Sequence, residues 1–382
     1  MLVKFKDAPS IAARSSSSMM VASQTMALLA SLCATQLLAS THDAVAENFG
    51  PPRYFVGNYS PLTQIFGLPT LDPSAAEDDK QLTLGIQLIS VSNSDSDADE
   101  SLILDGELTR IDLSYQHRMG FADRWLNPAQ LHNPRVRLQL PVFHQGGGFL
   151  DDSIENFHEV FNLPNGNRDE LETNNLQYRY VRNGETLLDF QDESGGIGDA
   201  SIEFTVDAFH NDGVGTGDKA HRNPLGNAGN THVSLSLGVK LPTGSESKVL
   251  GSGGTDFYGV IAADNLLDLR HWGLSNQLNL GYLRAENSGP LASTQSNEIF
   301  FGRLNLAYRL SPHWAIITHF YYHQAPYKSD MEAIGADALM GNFGASWHSE
   351  KRTLTLYFGE DLEAGKSPDF SIGASFAIDL GD

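Results

Sequence analysis

Histidine and serine one residue apart on a β-strand point the same way, so an imidazole can lie beside a hydroxyl and activate it for attack on an ester. His232-Val233-Ser234 has this spacing. Leu235 follows the serine where strand-borne lipid hydrolases carry Asn-Gly, so the pattern is incomplete. Asp95, Asp97 and Asp99 alternate in an acidic stretch. Carboxylates at that spacing suit a hard divalent cation, yet the glycine and downstream glutamate of a calcium loop are missing, and a solvated loop explains the run better. No metal and no cofactor is therefore expected. His319, Tyr321 and His323 share one face of an alternating segment, a spacing that suits a hydrogen-bond cluster. Arg110, Asp112, Arg118, Arg135 and Arg137 occupy the polar faces of neighbouring segments and could line an interior. Such ladders pair with one another and fill a small barrel, or they line a pore.

The elements that carry these residues have a period of two. Leu82, Leu84, Ile86 and Leu88 alternate with Thr83, Gly85 and Gln87; Val136, Leu138, Leu140 and Val142 alternate with Arg135, Arg137 and Gln139. Twelve such segments run from Gln81 to Leu380, and period two means strands with unlike faces. Many span roughly ten to fourteen residues, longer than the strands of soluble sheets and long enough to cross hydrocarbon at a tilt. An even number closes with both ends on one side, which leaves no open edge in lipid. The fold expected is all-β: a single-chain transmembrane antiparallel β-barrel of about 12 strands, with a short amphipathic helix in a long loop.

The connections alternate between shorter turns and longer polar loops, among them Asn93 to Ser101 and His144 to Gly198. Shorter turns on the periplasmic side and longer loops outside are the habit of outer-membrane barrels. Trp125, Trp272, Trp314 and Trp347 all fall on the short-turn side, where indole rings would form an aromatic girdle. In the longest loop Leu150, Ile154, Phe157 and Phe161 recur at helical spacing. That helix is expected either to fold over the mouth as a gate or plug, or to rest on the loop cluster.

The start of the chain reads as an address. Lys4, Lys6 and Arg14 precede an apolar run from Met26 to Leu38, and Ala44-Val45-Ala46 supplies the small residues of a signal-peptidase site. Residues 1–46 are thus expected to be a signal peptide, 47–80 an N-terminal segment able to tuck into the lumen, and 81–382 the barrel. The only cysteine, Cys33, falls in the leader, so neither disulfides nor thiolate chemistry is expected beyond it. With 25 basic against 47 acidic residues and a net charge of -22, a nucleic-acid partner is excluded on electrostatic grounds. The same surplus of acid favours cations if a channel exists.

Asn58-Tyr59-Ser60-Pro61-Leu62, Ile65-Phe66-Gly67-Leu68-Pro69, Gly148-Phe149-Leu150-Asp151, Phe161-Asn162-Leu163-Pro164 and Asn167-Arg168-Asp169 resemble a family of Gram-negative outer-membrane β-barrels known as domain of unknown function 3187. Gly195-Gly196-Ile197-Gly198-Asp199 and Gly238-Val239-Lys240-Leu241-Pro242-Thr243-Gly244 resemble an idiom shared by several barrel families. The resemblance implies a barrel in the cell outer membrane and brings no catalytic residues. The partners expected are outer-membrane lipid and lipopolysaccharide, the barrel-assembly machinery and a small solute. A channel or binding protein for that solute is the leading expectation. A surface-acting lipid hydrolase and a structural or adhesive barrel are the alternatives.

Overall fold

In the computed structural model of the chain, the described residues are 55–69, 80–126, 129, 131–151, 153–156, 171–211, 231–267, 269, 274–363 and 365–381. The expected signal peptide (residues 1–46), Trp272, Phe157 and Phe161 lie outside them. The strands are β1 (Lys80–Ser96), β2 (Glu100–Arg118), β3 (His132–Gly146), β4 (Gln177–Arg182), β5 (Glu185–Phe190), β6 (Ser194–Ile197), β7 (Ala200–Asn211) and β8 (Thr231–Leu241). They continue as β9 (Asp256–Asp264), β10 (Leu274–Arg284), β11 (Glu298–Arg309), β12 (Trp314–His323), β13 (Ala338–His348), β14 (Arg352–Asp361) and β15 (Phe370–Asp379). Short helical turns accompany them, among them α1 (Pro61–Gln64), α2 (Asp123–Leu126) and α3 (Glu332–Gly335).

Twelve of these strands, β1 to β3 and β7 to β15, pair antiparallel with their chain neighbours, and β15 pairs with β1 from Gln81 opposite Asp379 to Ser90 opposite Phe370. The sheet is therefore closed, and both ends of the barrel chain lie at the same rim. No described helix is long and apolar enough to cross a membrane.

Polarity is inverted relative to a soluble sandwich. Leu84, Ile86, Leu113, Leu138, Ile261, Leu280 and Phe300 are exposed on the outer wall, and Leu237 is 71% exposed there. Their strand neighbours Thr83, Gln87, Asp112, Gln139, Asn279 and Arg303 are buried. Only a hydrocarbon surround makes that arrangement favourable, since in water the exposed band would drive association. With an even strand number and closed pairing, it places the protein in the outer membrane.

The acidic connection differs from expectation. Asn93 to Ser101 is not an extended loop: β1 and β2 stay in register as far as Ser96 opposite Ser101, leaving four residues between the last pair. At 17 and 19 residues the two strands outrun the membrane, and the projecting part is stabilised from two sides. Leu102 and Leu104 are fully buried, and β4 pairs with β2 from Glu100 opposite Arg182 to Asp105 opposite Gln177. The stretch His144 to Gly198, expected as a loop with a helix, also holds β4, β5 and β6. The β4 to β5 turn is Asn183-Gly184, with φ of 51° and 76°, the backbone a tight two-residue hairpin turn demands.

A closed barrel resists unfolding in detergent until heated. Unboiled and boiled samples should therefore run at different mobilities on a denaturing gel, and identical mobility would contradict closure between β1 and β15.

Candidate functional site

The barrel interior is the candidate site. Inward side chains at neighbouring strand positions are forced together, so charges there either neutralise one another or pay the cost of burial. Arg110 holds Asp112 bidentately at 2.6 and 2.7 Å, and Gln139 donates to the same carboxylate at 3.0 Å. Arg135 meets Asp207 at 2.6 Å and Arg137 meets Glu203 at 3.0 Å, both pairs across β3 and β7. Arg118 stands apart at the turn, in a half-exposed pair with Asp123 at 3.2 Å. His319, Tyr321 and His323 are all buried, and the Nδ1 of His319 lies 3.2 Å from the side-chain amide of Asn342.

Residues 55–69 occupy the middle of this interior, where Phe55, Val56, Asn58, Tyr59, Leu62, Ile65 and Phe66 are buried. The Arg110 guanidinium lies 4.1 Å from the centre of the Tyr59 ring, a cation–π contact added to its ion pair. The Asn58 amide nitrogen is 2.9 Å from Nε2 of His323 and donates to the Lys366 carbonyl at 3.3 Å. The Tyr357 hydroxyl donates to the Phe55 carbonyl at 2.5 Å, and the Tyr327 hydroxyl to the Leu62 carbonyl at 2.9 Å. A Cβ on Gly85 would stand 2.3 Å from the Phe55 ring, so a bare backbone is what admits the phenyl group against β1.

Among the described residues, Lys240 is a cation with no exposed surface. It pairs with Asp199 at 2.6 Å and Asp256 at 2.8 Å, touches the Ser252 hydroxyl and donates to the Ile65 carbonyl at 3.0 Å. The Gly-Asp and Lys-Leu-Pro-Thr-Gly stretches are thus two halves of one clasp. The Thr243 hydroxyl donates to the Gly198 carbonyl at 2.7 Å and accepts the Ala200 N–H at 2.8 Å, while Asp199 accepts the Gly244 N–H at 2.8 Å. Gly67, at φ 57°, turns the segment away directly beside the Lys240 stem.

The remaining positions are scattered. Ile154 is buried and Leu150 half-buried in a helical stretch. Glu107 accepts the N–H groups of Phe149 and Leu150, and Gly148, at φ 76°, makes the turn that brings them there. Trp125 is 71% exposed beside Arg124 at the rim, and Trp314 and Trp347 sit opposite each other on β12 and β13. Asp97 accepts the N–H groups of Glu100 and Asp99 at 2.6 and 2.8 Å, which hold its carboxyl below the usual carboxylate range. Asp95 faces the Glu332 N–H at 3.4 Å, and no trio of His, Cys, Asp or Glu among the described residues is arranged to hold a metal. Ser234 is buried against the interior, out of reach of a lipid ester, with His232 only half-buried.

A family model described as a protein of unknown function, DUF3187, matches residues 27–378. The chain belongs to this family. Among solved structures it is similar to an outer-membrane channel from Pseudomonas putida F1, at 13% identity over 81% of this chain and 99% of that one, with a TM-score of 0.47. It is also similar to the KdgM porin, at 8% identity over 78% and 98% with a TM-score of 0.33. The toluene transporter TbuX of Ralstonia pickettii gives 9% over 84% and 97% with a TM-score of 0.34. No curated protein matches its sequence.

Removing one partner from a buried charge cluster leaves the others uncompensated. Lys240→Met should cost about 3–5 kcal/mol, read as a lower urea midpoint for loss of the fast-migrating gel form. Arg118→Met, which removes a half-exposed cation at the turn, should leave that midpoint unchanged.

Proposed function

We propose that this member of the family is an outer-membrane channel for a small solute, and that residues 55–69 are its built-in closure. One observation carries the reading: the wall presents buried polar and charged side chains to the interior, yet that interior is filled by a separate stretch of the same chain and not by the wall alone. A barrel meant only as a scaffold can fill itself with its own inward side chains. Here Tyr59 adds a cation–π contact to Arg110, which Asp112 already holds, and Asn58 meets His323, so the segment packs onto a wall whose ion pairs are complete without it. Between the segment and the wall formed by β2, β3 and β7 there remains a cavity of only about 20 Å³, lined by Gln64, Arg110, Gln139 and Ser201. That is room for one water molecule and no more. The segment thus packs closely against that part of the wall.

The segment is held at a few points, which makes release feasible without breaking the barrel. Planar-bilayer recordings should show little conductance for the full chain and sustained conductance when residues 55–69 are deleted. Tyr327→Phe, which removes a single hydroxyl from the Leu62 carbonyl, should give brief openings. A deletion variant that keeps its heat-dependent mobility but stays electrically silent would make the segment a structural filler and remove the channel reading.

A further inference from the structure

The two halves of the interior differ in chemistry. Toward the rim that holds the barrel's chain ends many buried inward positions are polar, for example Thr83, Gln116, Asn305, Ser346 and Thr355, around a small apolar cluster of Val56, Ala307, Ala315, Ile317 and Tyr357. Toward the opposite mouth they turn apolar: Ile89, Leu108, Phe143, Leu283, Phe301 and Tyr327 are buried in one cluster. The side chains that fill this chamber are Leu62, Ile65 and Phe66 of the segment, with the Phe66 ring edge-on to Tyr327 at 5.4 Å between centroids and 69° between planes.

A water-filled passage has no use for such a lining. If the segment left and only water entered, the whole chamber would be wetted at a cost proportional to its apolar area. The chamber therefore needs an apolar occupant in both states. Ligand sites have this composition, a mostly apolar pocket with a few polar groups that fix orientation. The Tyr327 hydroxyl, now on the Leu62 carbonyl, and the Lys240 ammonium, now on the Ile65 carbonyl, supply those groups at its edge.

Resting on the channel reading above, we propose that the solute is a small apolar molecule that carries an aromatic ring, and that Leu62, Ile65 and Phe66 occupy its site until it displaces them. The segment is a resident mimic of the cargo. An incoming ring can make the edge-to-face contact with Tyr327 that Phe66 makes, so exchange keeps the chamber dry while it unseats the closure.

The test uses the full chain with Cys33→Ser, reconstituted in phosphatidylcholine vesicles, and a Ser60→Cys reporter. Ser60 is 2% exposed, so its replacement should react slowly with a maleimide while the segment is seated. Fluorobenzene should raise the labelling rate by about tenfold or more, since a ligand that binds only the displaced state shifts the population toward it. Sorbitol should not. If fluorobenzene has no effect while Lys240→Met or Tyr327→Phe speeds labelling and opens conductance, the closure is real and the apolar cargo is wrong. If sorbitol accelerates labelling as well as fluorobenzene, the chamber does not select and the proposal falls. If neither variant labels faster nor conducts, the channel reading fails and takes this inference with it. The mobility difference between boiled and unboiled samples establishes in each case that the barrel is folded.

Discussion

Hydrocarbon offers a peptide group no hydrogen-bond partner, and the pairing of the last strand with the first is what makes the rest of this structure possible. Gln81 opposite Asp379 and the nine positions that follow leave no open edge between β15 and β1. Once the sheet is a tube, each strand has one face in lipid and one face in a confined interior, and the alternation of Leu and Ile with Thr, Gln and Arg follows from that division alone. A slip of one residue in register would put Arg135 and Arg137 in the acyl chains and Leu138 in the lumen, so closure and side-chain chemistry select the same alignment.

Confinement then sets the interior chemistry. Arg110, Arg135 and Arg137 cannot reach bulk water, and carboxylates are placed within a strand position or two to meet them. Lys240 goes further, with two carboxylates around one ammonium, which leaves the clasp with a surplus of negative charge that surrounding hydroxyls and N–H groups must offset. Ser252 and Gly244 donate to Asp199, and the Glu286 N–H donates to Asp256. The cluster is a structural commitment, because removing any member exposes the rest to a medium that does not solvate them.

How far all this could be read in advance depends on whether the signal is local. Barrel strands have a two-residue period, so twelve segments were visible in the order of residues, and so was the inward placement of Arg110, Arg135, Arg137 and His319. Asn93 to Ser101 misled because Ser, Asn and Asp are turn formers by composition, whereas the decisive force there is burial of Leu102 and Leu104 beneath β4, an element far along the chain. Asn183-Gly184 was a legible hairpin signal lost inside a long polar stretch. The contacts of residues 55–69 leave no periodic trace: Asn58 with His323 and Phe55 with Tyr357 are separated by 265 and 302 residues. Lys240 and Asp199 stood in motifs already noted, but only the register of Ala200 opposite Leu241 brings them side by side.

The way the segment is gripped bears on what the wall recognises. Tyr357, Tyr327 and Lys240 all donate to main-chain carbonyls, of Phe55, Leu62 and Ile65. Those groups are the same whatever side chains the segment carries, so the wall fixes where the backbone runs and leaves selectivity to the apolar chamber. Apolar burial has no direction of its own and would allow the segment to slide by a residue, whereas three donors at unequal spacing do not. The two kinds of contact therefore do different work: the carbonyl grips set register, and the chamber sets how strongly the seated state is preferred. A change in the chamber should alter how often the segment leaves, and a change in the grips should alter where it comes to rest.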